Sequence, residues 1–337
     1  MSNWLLRASE NWLEPIYDAL HAQLCRQHVL HADETTLQVL HEKDKSAKSK
    51  SYMWLYRTSG DAAKPIILYD YKPNRKAKNA EAFLQGFEGW LHADGYQGYH
   101  RLPTQIRVVG CLAHARCKFD EALTAVPKEQ PSKPTEALGY FAKLAQLEER
   151  FAELTDEERH NKCLEQEKPV LEALLAWANA LKSKTAPKSA LGKAIHYLLV
   201  QRPYLERYLE DDRLEQTNNR AERSIKPFVM GRKNWLFSNT PGGATSSAVI
   251  YSLVKTARES GLDPYRYLRW VFETASALAV QDKDWAEKPV PAAVPIYCYV
   301  PGKKEEAISS KFRNATGFPV ALLRLFHAHW TVTSNGC

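Results

Sequence analysis

Apolar positions in the first hundred residues recur in short runs between turn residues, a pattern of strands rather than long helices. VLHADETTLQVL (29–40) reads as a strand that runs into the Lys/Ser-rich turn KDKSAKSKS. SYMWLYRTSG and PIILYDYKP then set β-branched and aromatic residues between breakers, the pattern of a hairpin, so three neighbouring antiparallel strands are expected. The period changes in NRKAKNAEAFLQGF (74–87), where Ala77, Ala80, Phe83, Leu84 and Phe87 fall at helical spacing. GWLHADGYQGYH follows as another apolar run, and a helix between two strands is a crossover that places them parallel in one sheet. RVVGCLAHARCKFDEAL continues with a short strand and a helix.

From about residue 120 to 215 the pattern is wholly helical, with amphipathic segments EALGYFAKLAQLEERFAEL, CLEQEKPVLEALLAWANALKSK and SALGKAIHYLLVQRPYLERYL separated by Pro or polar breaks. A short helix over 219–226 is expected to stop at Pro227, followed by a loop GRKNWLFSNTPGG, a helix over about 244–260 ending at Gly261, and a last helix from Pro264. The organisation predicted is a helical lead-in (1–28), an α/β core in two parts (29–119 and 216–280) interrupted by an α-helical insertion (120–215), and a Pro-rich tail (281–337) with no sustained period.

Composition changes this picture little: 44% hydrophobic and 25% charged residues are ordinary for a folded chain of 337 residues. No stretch approaches the roughly 18 apolar residues of a membrane span, and MSNWLLRASENW lacks the layout of a signal peptide, so no membrane is expected and the cytoplasm is. Six scattered cysteines point to reduced thiols. The net charge of +7 is modest, but its distribution is uneven. Residues 43–80 carry ten Lys or Arg against three acids and residues 218–270 nine against three, while residues 120–215 carry fourteen against eighteen. Two basic regions flanking an acidic one suit an anionic partner, although solvated surface accounts for such clustering equally well.

The tetrapeptide Leu-His-Ala-Asp occurs twice, at 30–33 and 91–94, each time closing a short apolar run. An Asp at the end of a buried strand costs desolvation, and two on adjacent strands repel, unless a cation lies between them. Asp33 and Asp94 are therefore candidate ligands for Mg²⁺, which favours carboxylate oxygens and activates water at a phosphate; turn formation is the ordinary alternative for both. In TNNRAERSIKPF, Asn218, Glu222 and Lys226 share one face of the predicted helix, and Glu222 is the third carboxylate candidate or else a surface ion-pair partner of its basic neighbours. Arg223, Lys226, Arg232 and Lys233 are candidate phosphate contacts, with Trp235 a base-stacking residue or a core anchor. Gly242-Gly243 can offer backbone N–H groups to a phosphate or serve as a flexible turn. Cys111, His114 and Cys117 lack an evident fourth partner for a soft metal, which leaves His114 as support near a site or as a core hydrogen-bonding group.

Together HADET (31–35), HADGYQGY (92–99), GCLAHARCKF (110–119) and NNRAERSIKPFVMGRKNWLFSNTPGGA (218–244), in that order, closely resemble the transposases of the insertion-sequence-66 family over most of residues 1–275. The resemblance implies a DDE catalytic domain with an RNase H-like fold: a mixed sheet with flanking helices, interrupted by the helical insertion. It places the catalytic, metal-holding acids on Asp33, Asp94 and Glu222, which bind Mg²⁺ or Mn²⁺, two ions in all. His114, Arg116, Asn218 and Asn219 become supporting residues. The implied partners are DNA, as element ends and as target, further copies of the chain on that DNA, and companion transposition proteins; the location is cytoplasmic at the nucleoid.

Three departures accompany the resemblance. Family members usually carry an N-terminal region, with segments that recognise the element's ends, ahead of the point where MSNWLL opens, so end recognition is expected to be missing. Cys117 stands where the family usually has a second Arg, and the tail after about 280 is unlike the usual ending. The implied activity is metal-dependent phosphodiester hydrolysis at transposon ends followed by attack of the 3′-hydroxyl on target DNA. A DNA-binding remnant without chemistry and an RNase H-like nuclease acting on host nucleic acid are the alternatives.

Overall fold

The structure, a computed structural model, describes residues 3–126 and 132–300. Its first compact unit runs to Lys255 and is built on a five-stranded mixed sheet. The strands are β1 (Val29–Gln38), β2 (Lys50–Thr58), β3 (Ile67–Lys72), β4 (Gly89–His92) and β5 (Ile106–Val109), in the spatial order β3-β2-β1-β4-β5. β1, β2 and β3 pair antiparallel, whereas β4 lies parallel to β1 and β5 parallel to β4. This agrees with the three antiparallel strands and the crossover expected from the hydrophobic pattern.

The helices on and around this sheet are α1 (Asn3–Ala8) and α2 (Glu14–Leu24), joined by a π-helical turn, α3 (Ala77–Phe83) in the crossover, and α4 (Leu112–Thr124) after β5. Then come α5 (Lys133–Phe151), α6 (Asp156–Lys162), α7 (Lys168–Lys182) and α8 (Ala190–Leu205), followed by α9 (Asn219–Trp235) and α10 (Pro241–Glu259). Two-residue alternation along β2 sorts the sheet into faces. Met53 and Leu55 pack with Tyr69, Ala221, Ile225 and Phe228 in a core roofed by α9 and the start of α10. Trp54 and Tyr56 turn the other way, where Tyr56 stacks on Phe83 of α3 with centroids 4.0 Å apart and Trp54 meets Tyr99 edge-on at 5.8 Å.

The helices α5, α7 and α8 do not stand apart from the sheet. Phe141, Leu144, Leu171, Leu174, Ile195 and Leu198 join Ala115 and Phe119 of α4 with Trp90 and Val109 of the sheet in one continuous core. Burial of that much apolar surface is what holds this helical layer against the β4–β5 side.

Two expectations fail here. Pro227 does not end a helix: α9 runs through it to Trp235, so Gly231-Arg232-Lys233-Asn234-Trp235 forms its last turns and not a loop. Proline removes one backbone donor, but Ala221, Ile225 and Phe228 are buried at helical spacing on both sides of it, and their packing outweighs the lost hydrogen bond. α10 starts at Pro241, so Gly242 and Gly243 sit in its first turn instead of ahead of it.

A second compact unit begins at Thr256. Its helix α11 (Pro264–Gln281) is capped by Asp263, whose carboxylate accepts from the N–H groups of Tyr265 and Arg266, and buries Tyr267, Val271 and Ala275. Three single helical turns follow, ending at Cys298, and Leu262 bridges Tyr299. Most of the predicted tail, residues 301–337, lies outside the described residues. Among the described residues no helix is long and apolar enough to cross a membrane.

Candidate active site

The repeated Leu-His-Ala-Asp acquires a geometric meaning in the sheet. β1 and β4 pair in parallel with Leu30 opposite Leu91 and His31 opposite His92, so the two tetrapeptides are in register residue for residue. The same offset of 61 residues carries Asp33 to Asp94, which follows β4 directly and so stands at the matching level beside β1. Asp33 lies opposite Leu55 of β2 and therefore on the α9 face of the sheet.

Glu222 reaches this place because the start of α9 is tied to β1 by Asn218. Asn218 occupies the N-cap position without capping. Instead its Nδ2 donates to the Ala32 carbonyl at 2.8 Å, and its Oδ1 pairs with His31 Nδ1 at 3.0 Å. Its backbone N–H donates to Cys111 Sγ at 3.1 Å, which joins the starts of α9 and α4, and its carbonyl accepts from Glu222 N–H. Further along, Arg57 Nη1 of β2 donates to Ser224 Oγ at 2.6 Å, and the Tyr69 hydroxyl donates to the Ser224 carbonyl. With Asn218 buried and these bonds made, Glu222 faces the sheet one turn into the helix.

A groove of about 400 Å³ opens between Asp33 and α9, lined by Asn219, Glu222, Arg223 and Lys226 together with Ile225 and Val229. Burial pushes the Asp33 carboxyl up to about 8, and the charges of Glu34, Asp94 and Glu222 push it the same way against the Glu34 N–H, which donates to Asp33 Oδ1 at 2.7 Å. Asp94 and Glu222 are thus both within electrostatic reach of Asp33. Arg75 offsets part of this negative charge: its Nη2 lies 3.5 Å from Asp94 Oδ2, its guanidinium stacks 3.9 Å above the Tyr96 ring, and its Nε donates to Glu34 Oε1 at 2.5 Å. The Glu34 side chain is only 1% exposed, and its other oxygen accepts from the Tyr99 hydroxyl at 2.6 Å.

The residue after Asp94 is a glycine set close against a side chain. A Cβ on Gly95 would stand 2.6 Å from the Tyr197 hydroxyl of α8, so the helical layer presses directly on the turn that carries Asp94. Asp94 Oδ1 in turn accepts from Tyr96 N–H at 2.9 Å, which holds the carboxylate across the turn.

The structure brings the other predicted residues to different places. His114, half-buried on the first turns of α4, has its Nδ1 3.5 Å from Glu222 Oε1, and Cys111, His114 and Glu222 offer donor atoms within 4.8 Å of one another. Cys117 is exposed and outside that group. Arg223 and Lys226 are exposed along the groove, whereas Arg116 points to Asp120 on its own helix at 3.5 Å. Arg232 donates to the hydroxyls of Thr35 at 3.3 Å and Thr36 at 3.0 Å on β1. Lys233 is exposed near the end of α9, about three turns beyond Glu222, and Trp235 packs edge-on against Phe228 at 5.3 Å. Sequence reasoning missed Glu34 and Arg75. A charged pair 41 residues apart leaves no local spacing to find, although the buried position of Glu34 beside Asp33 on a strand was a usable sign.

A mixed sheet with two aspartates at matching levels of neighbouring parallel strands, facing a glutamate on the covering helix, defines an α/β protein with a carboxylate-cluster site. Comparison with known proteins then gives the family: the model described as "Transposase IS66 family" matches residues 1–246, and the chain belongs to that family. Among curated proteins it is similar to "Uncharacterized protein y4jD" of Sinorhizobium fredii (strain NBRC 101917 / NGR234), 34% identical over 78% of this chain and 53% of that one. It is also similar to "Uncharacterized protein y4qI" of the same organism, 30% identical over 78% of this chain and 50% of that protein. The chain thus spans about half the length of the curated relatives it matches. No solved structure matches it.

Proposed function

We propose that this chain carries the catalytic centre of a DNA transposase with an RNase H-like core, in which Asp33, Asp94 and Glu222 hold two divalent ions, Mg²⁺ or Mn²⁺. The observation that carries the reading is the register match of Asp33 with Asp94, with Glu222 presented to them by α9. The strand order β3-β2-β1-β4-β5, antiparallel on one side of β1 and parallel on the other, supports the RNase H-like assignment. The donor set fits the ions: the charges of Asp94 and Glu222 both act on the buried Asp33, and hard carboxylate oxygens suit Mg²⁺.

When bound, such ions supply Lewis acidity that lowers the pKa of an attacking water and stabilises the leaving oxygen. The chain's own residues do the rest. Asp33 and Asp94 are kept at a common level by the sheet, and Glu222 is held against them through Asn218 and Ser224. Arg223 and Lys226 line the same groove and are suited to hold the backbone of the strand to be cut, as cations that supply affinity without reading bases. The His114 ring stands beside Glu222, with Nδ1 3.5 Å from Oε1, where it is suited to orient that carboxylate. Hydrolysis at an element end leaves a 3′-hydroxyl, and the same groove then presents that hydroxyl to a target phosphodiester, so both steps are in-line phosphoryl transfers without a protein-bound intermediate.

The test is a strand-cleavage and strand-transfer assay on duplexes carrying the element's own ends, with and without Mg²⁺. Metal-dependent nicking at the end followed by joining is expected, and both are lost in Asp33→Asn, Asp94→Asn or Glu222→Gln with DNA binding retained. Cleavage retained in Asp94→Ala would remove the assignment. Cleavage of arbitrary DNA or RNA–DNA hybrid without joining would replace transposition by a nuclease activity.

A further inference from the structure

A second cluster of metal-ligating groups lies in the helical layer, away from the groove. Glu148 near the end of α5, and Cys163 and Glu167 on the π-helical turn Cys163–Glu167, offer a carboxylate oxygen, a thiol sulfur and a second carboxylate oxygen within 4.8 Å of one another. Cys163 is 2% exposed and Glu167 is fully buried. Neither oxygen of Glu167 has a hydrogen-bond partner, and neither does Glu148 Oε2. Gln216, Tyr208 and Cys163 approach the Glu167 carboxylate without making a bond of normal geometry, and the buried Tyr208 hydroxyl is itself unpartnered.

Leaving a fully buried carboxylate with both oxygens unsatisfied is costly, and native interiors place few such groups. Among the described residues Arg159 stands beside the cluster, its Nη2 pairing with Glu148 Oε1 at 2.7 Å and leaving Oε2 without a hydrogen-bond partner. Two carboxylates and one thiolate against one guanidinium leave two negative charges, which a single divalent ion neutralises. A π-turn inserts one residue into the helical spacing and sets Cys163 and Glu167 side by side, the kind of local irregularity that recurs at functional positions.

We propose that Glu148, Cys163 and Glu167 form a structural site for a thiophilic divalent ion of the zinc type, which staples α5 to the π-helical turn ahead of α7. A thiolate with carboxylates suits zinc, whose bonds of about 2.0–2.3 Å would draw the three donor atoms in by roughly an ångström. Mg²⁺ is disfavoured by the sulfur ligand. Glu148, with its side chain 30% exposed, provides the entry path, and Gln216 and Tyr208 are placed to orient the Glu167 carboxylate as outer partners. Burial raises the Glu167 carboxyl and pushes the Cys163 thiol up to about 12, so binding an ion to the thiolate releases a proton.

Cobalt is the probe. The full chain, stripped with chelator and titrated with Co²⁺, is expected to bind one ion with near-ultraviolet thiolate-to-cobalt charge-transfer absorption, and Zn²⁺ is expected to displace it. That absorption should persist in the Asp33→Asn/Asp94→Asn/Glu222→Gln triple variant and in Cys111→Ser, and vanish in Cys163→Ser. Should Cys163→Ser fold poorly by circular dichroism, the partly exposed Glu148→Gln serves instead, with Co²⁺ affinity expected to fall about tenfold or more. Absence of thiolate absorption in the wild-type chain, its persistence in Cys163→Ser, unchanged Co²⁺ affinity in Glu148→Gln, or its loss in Cys111→Ser would overturn the proposal.

Discussion

His31 and His92 stack face to face in the interior, with ring centroids 4.5 Å apart and planes within 9° of parallel. Because Asn218 Nδ2 is committed to the Ala32 carbonyl, Asn218 Oδ1 is the acceptor toward His31, and the His31 proton sits on Nδ1. His92 Nε2 accepts from the Glu215 N–H at 3.3 Å, which places the His92 proton on Nδ1 as well. Two neutral imidazoles thus carry the sheet spacing just beneath the carboxylates, and one edge of the pair reaches out to α9.

This pair should make the fold acid-sensitive. Burial pushes His31 down to about 3 and His92 well below its ordinary value, with the neighbouring imidazole adding to the effect on His92. A histidine whose folded pKa is depressed contributes stability that is intact above about pH 6.5 and is lost as pH falls from there toward the folded value. Between pH 6.5 and 5 the His31 contribution should cost about 2 kcal/mol, and His92 adds in the same direction. His92→Phe, which keeps a stacked ring, should lose less thermal stability over that interval than the wild type. Parallel melting curves for the two proteins at pH 7 and 5 would show no difference if the ring were already charged.

Asp33 should respond in the opposite sense. Its carboxyl is raised to about 8, so in the metal-free protein its proton favours folding at low pH, and that contribution is lost progressively as pH rises from about 4 to about 8. Asp33→Asn, which never ionises, should therefore melt higher than the metal-free wild type at pH 8.5, by on the order of 2 kcal/mol. Mg²⁺ should raise the wild-type melting temperature at that pH and leave the variant nearly unchanged. Equal responses of both proteins to Mg²⁺ would count against Asp33 as a ligand.

Asn218 is expected to matter for both folding and chemistry. Asn218→Ala leaves His31 Nδ1 and the Ala32 carbonyl unpaired in the interior, at about 1–3 kcal/mol each. Because Glu222 depends on this anchor, cleavage should fall further than stability alone explains when assayed well below the melting temperature. An activity loss no greater than the loss of folded protein would reduce Asn218 to a purely structural part.

Arg75→Met should strand Glu34, whose side chain is 1% exposed and whose oxygen Arg75 supports, at a cost of roughly 3–5 kcal/mol. Glu34→Gln combined with Arg75→Met should recover most of that loss, since no buried charge is then left alone. Additive losses across the double-mutant cycle, measured by urea unfolding, would show that the two groups do not depend on each other.

The difference between what could and could not be read from the chain follows from the distance over which each feature is encoded. The hairpin and crossover are written in local period, and the echo of Leu-His-Ala-Asp is a parallel register spelled twice. Pro227 was misread because a local rule about helix interiors met a non-local packing force: Ala221, Ile225 and Phe228 are held by Tyr69, Met53 and Leu55 of other strands. Arg75 with Glu34, and Glu148 with Cys163 and Glu167, are partnerships across loops and helices, which no window of spacing contains.

The helical layer also has a consequence in time. Asp33 and Asp94 leave the ribosome early, on and directly after strands that can pair at once, but Glu222 follows 128 residues after Asp94, behind α5 to α8. Throughout that interval a growing chain holds two of its three clustered acids. The turn at Asp94 is not braced until Tyr197 arrives, and nothing brings in the third acid until Asn218 meets β1. On the proposed function, a nascent or prematurely terminated product would lack the third acid and so any complete site, a built-in delay on reactivity toward the DNA of the cell that makes it.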